Sequence, residues 1–216
     1  KKWAVVACDQ YTGEPQYWQR VEQYVCDAPS TLGLILPEVY LEENDVDARV
    51  NTIHKNMNSM LANGIFSEYK DALIYVERVQ SDGMVRKGIV GAIDLEEYDY
   101  RPGSTSSVRA TEATVVERIP PRLKVRQDAP VEVPHVMILI DDEKMSVIEP
   151  CEKIKESAKP LYDTKLMEGG GRIKGWLLDH PAEAAKIAAA GYEKALLQDT
   201  WECRFKSIFH ETIEGC

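Results

Sequence analysis

A chain of 216 residues has room for one large domain or two small ones, and 44% hydrophobic with 29% charged residues exclude a disordered, collagen-like or disulfide-scaffold protein. Lys and Arg number 26 against 36 Asp and Glu, a net charge of −10, and an acidic body of this kind repels phosphate backbones and anionic lipid, so neither nucleic acid nor a membrane is an expected partner. The five cysteines, Cys8, Cys26, Cys151, Cys203 and Cys216, are odd in number and form no Cys-x-x-Cys pair, which fits a reducing, cytoplasmic location.

In chain order, Trp3 to Cys8 is a continuous apolar run closed by Asp9, the pattern of a strand buried on both faces. The first residue is not Met and this run begins at once, so the chain is expected to start inside a longer natural protein. Glu14 and Pro15 open a stretch with Tyr17, Trp18, Val21, Tyr24 and Val25 at helical spacing, Pro being tolerated in a first turn that needs no N–H. Leu32 to Leu36 reads as a second buried strand ended by Pro37. A longer helix is expected from Asn44 or Asp45, carrying Val46, Val50, Ile53, Met57, Met60 and Leu61 on one stripe and capped by Asn63 and Gly64.

Ala72 to Val79, the turn Ser81, Asp82, Gly83, and Met84 to Leu95 predict a β-hairpin. The middle of the chain, through the Pro-rich stretch from Pro120 to Pro134, reads as extended or looped. Val136 to Ile140 predicts a third apolar strand, Ser146 to Glu149 a short partner, Cys151 to Ala158 a helix and Leu161 to Leu166 a strand. Gly169, Gly170 and Gly171 interrupt the chain before a strand over Ile173 to Leu178. An Ala-rich helix capped by Asp179 follows, and then an amphipathic segment with Trp201, Phe205, Ile208 and Phe209. The fold class predicted is mixed α/β, with a mixed sheet, a central hairpin and flanking helices in a single domain, and a β-rich lobe over residues 70–140.

The densest polar segment runs from Arg109 to Arg118, with Glu112 and Glu117, Thr111 and Thr114, followed by Arg122 and Arg126. If it is extended, Glu112, Thr114, Val116 and Arg118 share one face. Such a face can hold a phosphate or carboxylate on an arginine fork, while a carboxylate serves as base or cation ligand; the more ordinary reading is a solvated surface strand with cross-strand ion pairs. Asp9, followed by Gln10 and Tyr11, closes a buried strand where α/β proteins place ligand contacts, or else makes a turn. Asp141 and Asp142 offer a carboxylate pair to a divalent cation, against an ordinary turn with Glu143 and Lys144. The triple glycine lacks the Gly-Lys-Ser or Gly-Lys-Thr that opens a phosphate-loop helix, so it reads as a hairpin or mobile loop rather than a phosphate cradle, and a Walker-type NTPase is excluded. His54, His135, His180 and His210 are scattered without zinc-ligand spacing.

Three segments carry a family resemblance: Lys1 to Tyr17, containing Trp3, Ala4, Val5, Val6, Ala7, Cys8, Asp9, Gln10, Tyr11 and Thr12; Gly88 to Tyr98; and Arg109 to Arg122. Together they resemble the bacterial and archaeal proteins called Domain of Unknown Function 1015. The resemblance, over roughly Lys1 to Leu178, implies a buried aspartate at Asp9. It also implies a His-Glu-x-Thr segment with an arginine eight residues past the threonine, matched by Glu112, Thr114 and Arg122. Thr111 stands where that pattern has its histidine, so no imidazole role is implied there. The family's Gly-Asp-Gly-Asn-His-Ser-like motif has no counterpart in this chain, which therefore resembles the N-terminal part of such a protein.

The expected function is that of an enzyme or enzyme fragment binding a small anionic metabolite or nucleotide. Arg109, Arg118 or Arg122 would hold the anion, Glu112 would act as base or cation ligand, Asp9 would orient the substrate, and Gln10 and Thr114 would make further contacts. The alternative is a non-catalytic binding or oligomerisation module using Trp201 and Phe205. No cofactor is specified by the sequence, and a homo-oligomer is an open expectation.

Overall fold

The computed structural model describes residues 2–70, 72–110, 115–133 and 135–178. Pro15 sits in the first turn of helix α1 (Pro15–Val25), whose 3.6-residue spacing buries Tyr17, Trp18, Val21 and Val25 while Tyr24 stays exposed. Helix α2 (Val46–Ala62) buries Val50, Ile53 and Met57 and stops at Asn63 and at Gly64, whose φ of 64° suits a residue without Cβ. These stripes close on Leu34, Ile35, Leu36 and Tyr40 as the larger core, with Val5, Val6 and Cys8 packed against it.

The predicted hairpin is present as β1 (Leu73–Val79) and β2 (Val85–Val90), paired antiparallel from Ile74 opposite Val90 to Val79 opposite Val85. A two-residue parallel pair, β3 (Tyr98–Asp99) with β4 (Val108–Arg109), follows. Helix α3 spans Ile119–Arg126 and α4 spans Ile154–Ser157. Strands β5 (Tyr162–Lys165) and β6 (Arg172–Leu178) complete a four-stranded antiparallel sheet in the order β2-β1-β6-β5. The triple glycine is therefore the loop of the β5–β6 hairpin. Gly171 has φ of 86°, and a Cβ there would run into the Val79 carbonyl oxygen, so this corner requires glycine.

A smaller core sits on one sheet face, where Tyr75 and Trp176 are register partners with ring centroids 5.8 Å apart and Cys151 packs beside them. The same face carries a charged relay. Tyr75 donates to Glu77 at 2.8 Å, Lys155 of α4 donates to Glu77 at 2.5 Å and to Glu152 at 3.2 Å, and Lys87 of β2 also reaches Glu152. These bonds dock α4 and the preceding 3₁₀ turn (Glu149–Lys153) onto the sheet.

The mixed α/β class holds, with several local departures. Trp3 to Cys8 is not a strand in either described sheet. The hydroxyls of Ser30 and Thr31 donate to the Trp3 carbonyl at 3.1 and 3.0 Å, beside a bond from the Thr31 amide at 2.8 Å, and the Thr31 hydroxyl accepts from the Val5 amide, so side chains supplement a few backbone bonds in place of a strand ladder. Leu32 to Leu36 begins as a 3₁₀ turn (Thr31–Leu34), because Ser30 caps it through the Leu32 amide at 3.2 Å. The Pro-rich stretch contains α3, since Pro120 and Pro121 fall in its first turn, where their missing N–H groups leave no bond unmade. Val136 to Ile140 is not a strand in either described sheet and stays exposed, Val136, Met137 and Leu139 at 75–78%. Ser146 to Glu149 is likewise not a strand, because Asp142 accepts from the amides of Ser146 and Val147 at 2.6 and 2.7 Å and folds the chain into a turn. The helix proposed from Asp179 and the segment around Trp201 lie outside the described residues.

Candidate functional site

The site begins where the first apolar run ends. Pro37 terminates the buried Leu34–Leu36 segment and starts a 3₁₀ turn (Glu38–Tyr40). The Glu38 amide donates to the Cys8 carbonyl at 2.8 Å, which holds the Cys8–Asp9 corner beside Glu38. The Glu38 side chain is only 6% exposed. A carboxylate so withdrawn from water needs a counter-charge, and two arrive from the same helix end: Arg122 donates through Nη2 to Oε1, and Arg118 lies with Nη1 3.4 Å from Oε2.

Their joint arrival follows from local geometry. Arg118 is the N-cap of α3 and Arg122 lies one turn further on, so the two project from one side of the helix. The helix is fixed to α2 by Lys124 to Asp47 at 2.7 Å and by a 2.9 Å bond between the His54 ring Nε2 and the Val125 carbonyl, while Val125 packs into the larger core. The arginines are therefore carried on an anchored element.

Electrostatics bind the corner into one unit. The hydrogen bond to Glu38 raises the Arg122 pKa against the opposing effect of burial, with Cys8 and Asp9 adding to the rise. Burial pushes the Cys8 thiol up, Asp9 and Glu38 push in the same direction, and Arg122 opposes them; Cys8 is thus a protonated thiol at neutral pH and no nucleophile. The Arg122 Nε is buried and has no hydrogen-bond partner among the described residues, and both arginine side chains are partly open to water, at 52% for Arg118 and 42% for Arg122. Donors held in place and not fully used are what an incoming oxyanion requires.

Of the residues the sequence singles out, Arg118 and Arg122 meet on Glu38, and Asp9, next to Cys8, acts on Arg122 through its charge. Asp9 is exposed, which corrects the buried position implied by the family resemblance: it stands in the turn after the apolar run rather than within it. Gln10 is in the same turn, its amide donating to Ala7 at 3.1 Å. Arg109 is placed on β4 opposite Asp99, apart from the Glu38 bonds. Thr111, Glu112 and Thr114 lie outside the described residues. The alternation expected along Glu112 to Arg118 does not continue, because Val116–Arg118 is a 3₁₀ turn.

Glu38 is the residue that the sequence reading missed. Its signal was available, since it follows a buried run and a proline just as Asp9 follows the first run.

Elsewhere, Asp99 and Arg101 form a bidentate pair at the mouth of a cleft of about 560 Å³ lined by Pro102 to Ser106. Arg101 holds the Asp99 carboxyl well below the usual carboxylate range. Among the described residues no three His, Cys, Asp or Glu side chains are grouped to hold a metal ion, and Asp142 bonds to Ser146 and Val147 within its own turn. No described helix is long and apolar enough to cross a membrane.

Compared with known proteins, the chain matches no curated protein and no solved structure. One family model matches, described as a protein of unknown function (DUF1015), and it takes in residues 1–197, from the Asp9 corner through the arginine-bearing helix to the β5–β6 hairpin and beyond. The chain belongs to the DUF1015 family.

Proposed function

We propose that the chain binds a small anionic metabolite or nucleotide, as an enzyme or as part of one. Arg118 and Arg122 grip the anion, Asp9 orients the substrate, and Glu112 acts as base or cation ligand, with Arg109, Thr114 and Gln10 as further contacts. The observation carrying this reading is the convergence of two guanidinium groups on the buried Glu38 carboxylate beside Asp9. Arg118, Arg122 and Glu38 sum to one positive charge and Asp9 cancels it, so directional hydrogen bonds rather than net charge select the ligand. The compartment proposed is the cytoplasm, supported among the described residues by the free thiols of Cys8 and Cys26.

A thermal-shift panel of inorganic pyrophosphate, nucleoside diphosphates and divalent cations tests the reading. Ligand at a hundredfold excess over its Kd stabilises by about 2.7 kcal/mol, a rise of several degrees. Glu112→Gln is expected to retain the rise with pyrophosphate alone and to lose any further rise that a divalent cation adds. A panel without any shift contradicts the proposal.

A second reading, an oligomerisation module, is supported by the exposed run Val136 to Ile140. The occupant proposed is a second copy: antiparallel pairing about Ile138 sets His135 of one copy opposite Asp141 of the other, a complementary register. Light scattering over a hundredfold concentration range is then expected to show a doubled mass that Ile138→Lys abolishes. A constant monomer mass contradicts this reading.

A further inference from the structure

Three parts of the chain converge around Tyr17 of α1. Tyr11, from the loop before the helix, stacks on its ring with centroids 3.9 Å apart and planes 14° from parallel. Arg20, one turn further along α1, lies with its guanidinium carbon 5.8 Å from the ring centroid. The β5–β6 loop supplies Glu168, whose Oε2 is 3.7 Å from Arg20 Nη2. That loop is closed by the Leu166 amide donating to the Gly171 carbonyl at 2.8 Å, and its Met167 packs against the larger core. Tyr11 and Glu168 both take a left-handed backbone, with φ of 53° and 51°, which residues other than glycine adopt at a cost. Two strained residues, from either end of the described chain, thus flank one cluster.

The polar groups of this cluster are incompletely bonded. Tyr17 is 2% exposed, and its buried hydroxyl has no hydrogen-bond partner among the described residues, an arrangement that destabilises a fold until an acceptor is supplied. Burial pushes the phenol up to about 12, with Tyr11 and Glu168 adding to the rise and Arg20 opposing it, so the hydroxyl is a donor at neutral pH and the charges of Glu168 and Arg20 both act on it. Arg20 donates to the Gln16 carbonyl at 3.3 Å. Its separation from Glu168 exceeds hydrogen-bond length, and the two side chains are 55% and 43% exposed. A cation and an anion are held side by side, without completing their bond to each other, near a buried phenol that lacks an acceptor.

The chemistry that completes all three is a zwitterion. A carboxylate takes the Arg20 fork and accepts from the Tyr17 hydroxyl, while an ammonium donates to Glu168. A phosphate or a simple carboxylic acid would instead set a second negative charge against Glu168. The short Arg20–Glu168 gap admits opposite charges borne on one carbon, as in an α-amino acid, and not charges spread along a longer chain. We infer that Tyr17, Arg20 and Glu168 form a second binding site whose ligand is a free α-amino acid, its carboxylate on Arg20 and the Tyr17 hydroxyl and its ammonium on Glu168. Entry to the hydroxyl requires Tyr11 or Glu168 to yield, and the strained φ of both lowers the cost of moving them. The inference is independent of the reading at Arg118 and Arg122.

The experiment is a thermal-shift panel of the standard L-amino acids, with propionate and ethylamine as single-charge controls, each hit then being titrated calorimetrically into wild type, Arg20→Gln, Glu168→Gln and Tyr17→Phe. At least one amino acid is expected to raise the melting temperature, and neither control to do so. Its affinity is expected to fall about tenfold or more in each of the three variants, and to stay within about twofold when pyrophosphate is present in excess. Tyr17→Phe is also expected to raise the melting temperature of the ligand-free protein, because it removes a buried hydroxyl that has no partner; that rise shows the variant to be folded. A panel without a hit, a hit that propionate reproduces, an affinity unchanged in any of the three variants, or a hit displaced by pyrophosphate overturns the inference. So does a ligand-free Tyr17→Phe less stable than wild type, since the hydroxyl is then already bonded within the protein and the cluster is structural.

Discussion

Arg122→Ala is expected to lower the free energy of unfolding by about 3 kcal/mol, because it leaves the Glu38 carboxylate buried with a single, more distant guanidinium as counter-charge. The corresponding change at Arg118 is expected to be under about 1 kcal/mol, since that pair is longer and half in water. Urea unfolding of the variants checks both values. Glu38→Gln combined with Arg122→Ala recovers part of the loss, as removing both charges costs less than stranding one. Equal effects at Arg118 and Arg122, or no recovery in the double variant, contradict the assignment of Glu38 as the carboxylate that organises the corner. Arg122→Lys keeps a positive charge near Glu38 but cannot present a planar fork, so it separates stability from recognition.

The second large effect is at Glu77. Burial alone would raise its pKa, yet the bonds from Lys155 and Tyr75 outweigh burial and hold the carboxyl below its ordinary value. A carboxylate with a lowered folded pKa stabilises the fold above the unfolded value of about 4.3, and that contribution disappears as pH falls through the folded value. Glu77→Gln is accordingly expected to cost about 2 kcal/mol at pH 7, with the gap from wild type closing below about pH 4. Calorimetric melting of both proteins between pH 3 and pH 7 provides the measurement, those limits being set about the unfolded carboxyl value. A gap independent of pH contradicts a role for the charge, and points to packing around Tyr75 and Trp176 instead.

The elements legible from sequence are those whose periodicity is enforced by burial on one side. Tyr17, Trp18, Val21 and Val25 spell out α1, and the β-branched and aromatic run from Leu73 to Val79 with its Asp82–Gly83 turn spells out the hairpin. What misled was chemistry that competes with periodicity. Ser30 turned an apolar run into a 3₁₀ cap, and Pro120 and Pro121 look like helix breakers but stand where a helix admits proline. Val136 to Ile140 has strand composition without a described strand beside it; composition states a need for cover, not what supplies it.

For the site, Asp9, Arg118 and Arg122 were legible as residue types and positions, but their coupling depends on a bond between the Glu38 amide and the Cys8 carbonyl, thirty residues apart in the chain. Long-range backbone bonds of that kind leave no spacing signature, which is why Glu38 passed unnoticed.

The central claim is that the α3 arginines, steadied by Glu38, recognise an oxyanion. Calorimetric titration of inorganic pyrophosphate into wild type and Arg122→Lys tests it most directly. The account predicts saturable binding to wild type and a loss of about tenfold or more in the lysine variant, about 1.4 kcal/mol, at unchanged secondary structure. Equal affinity for both proteins, or no heat from wild type, contradicts it.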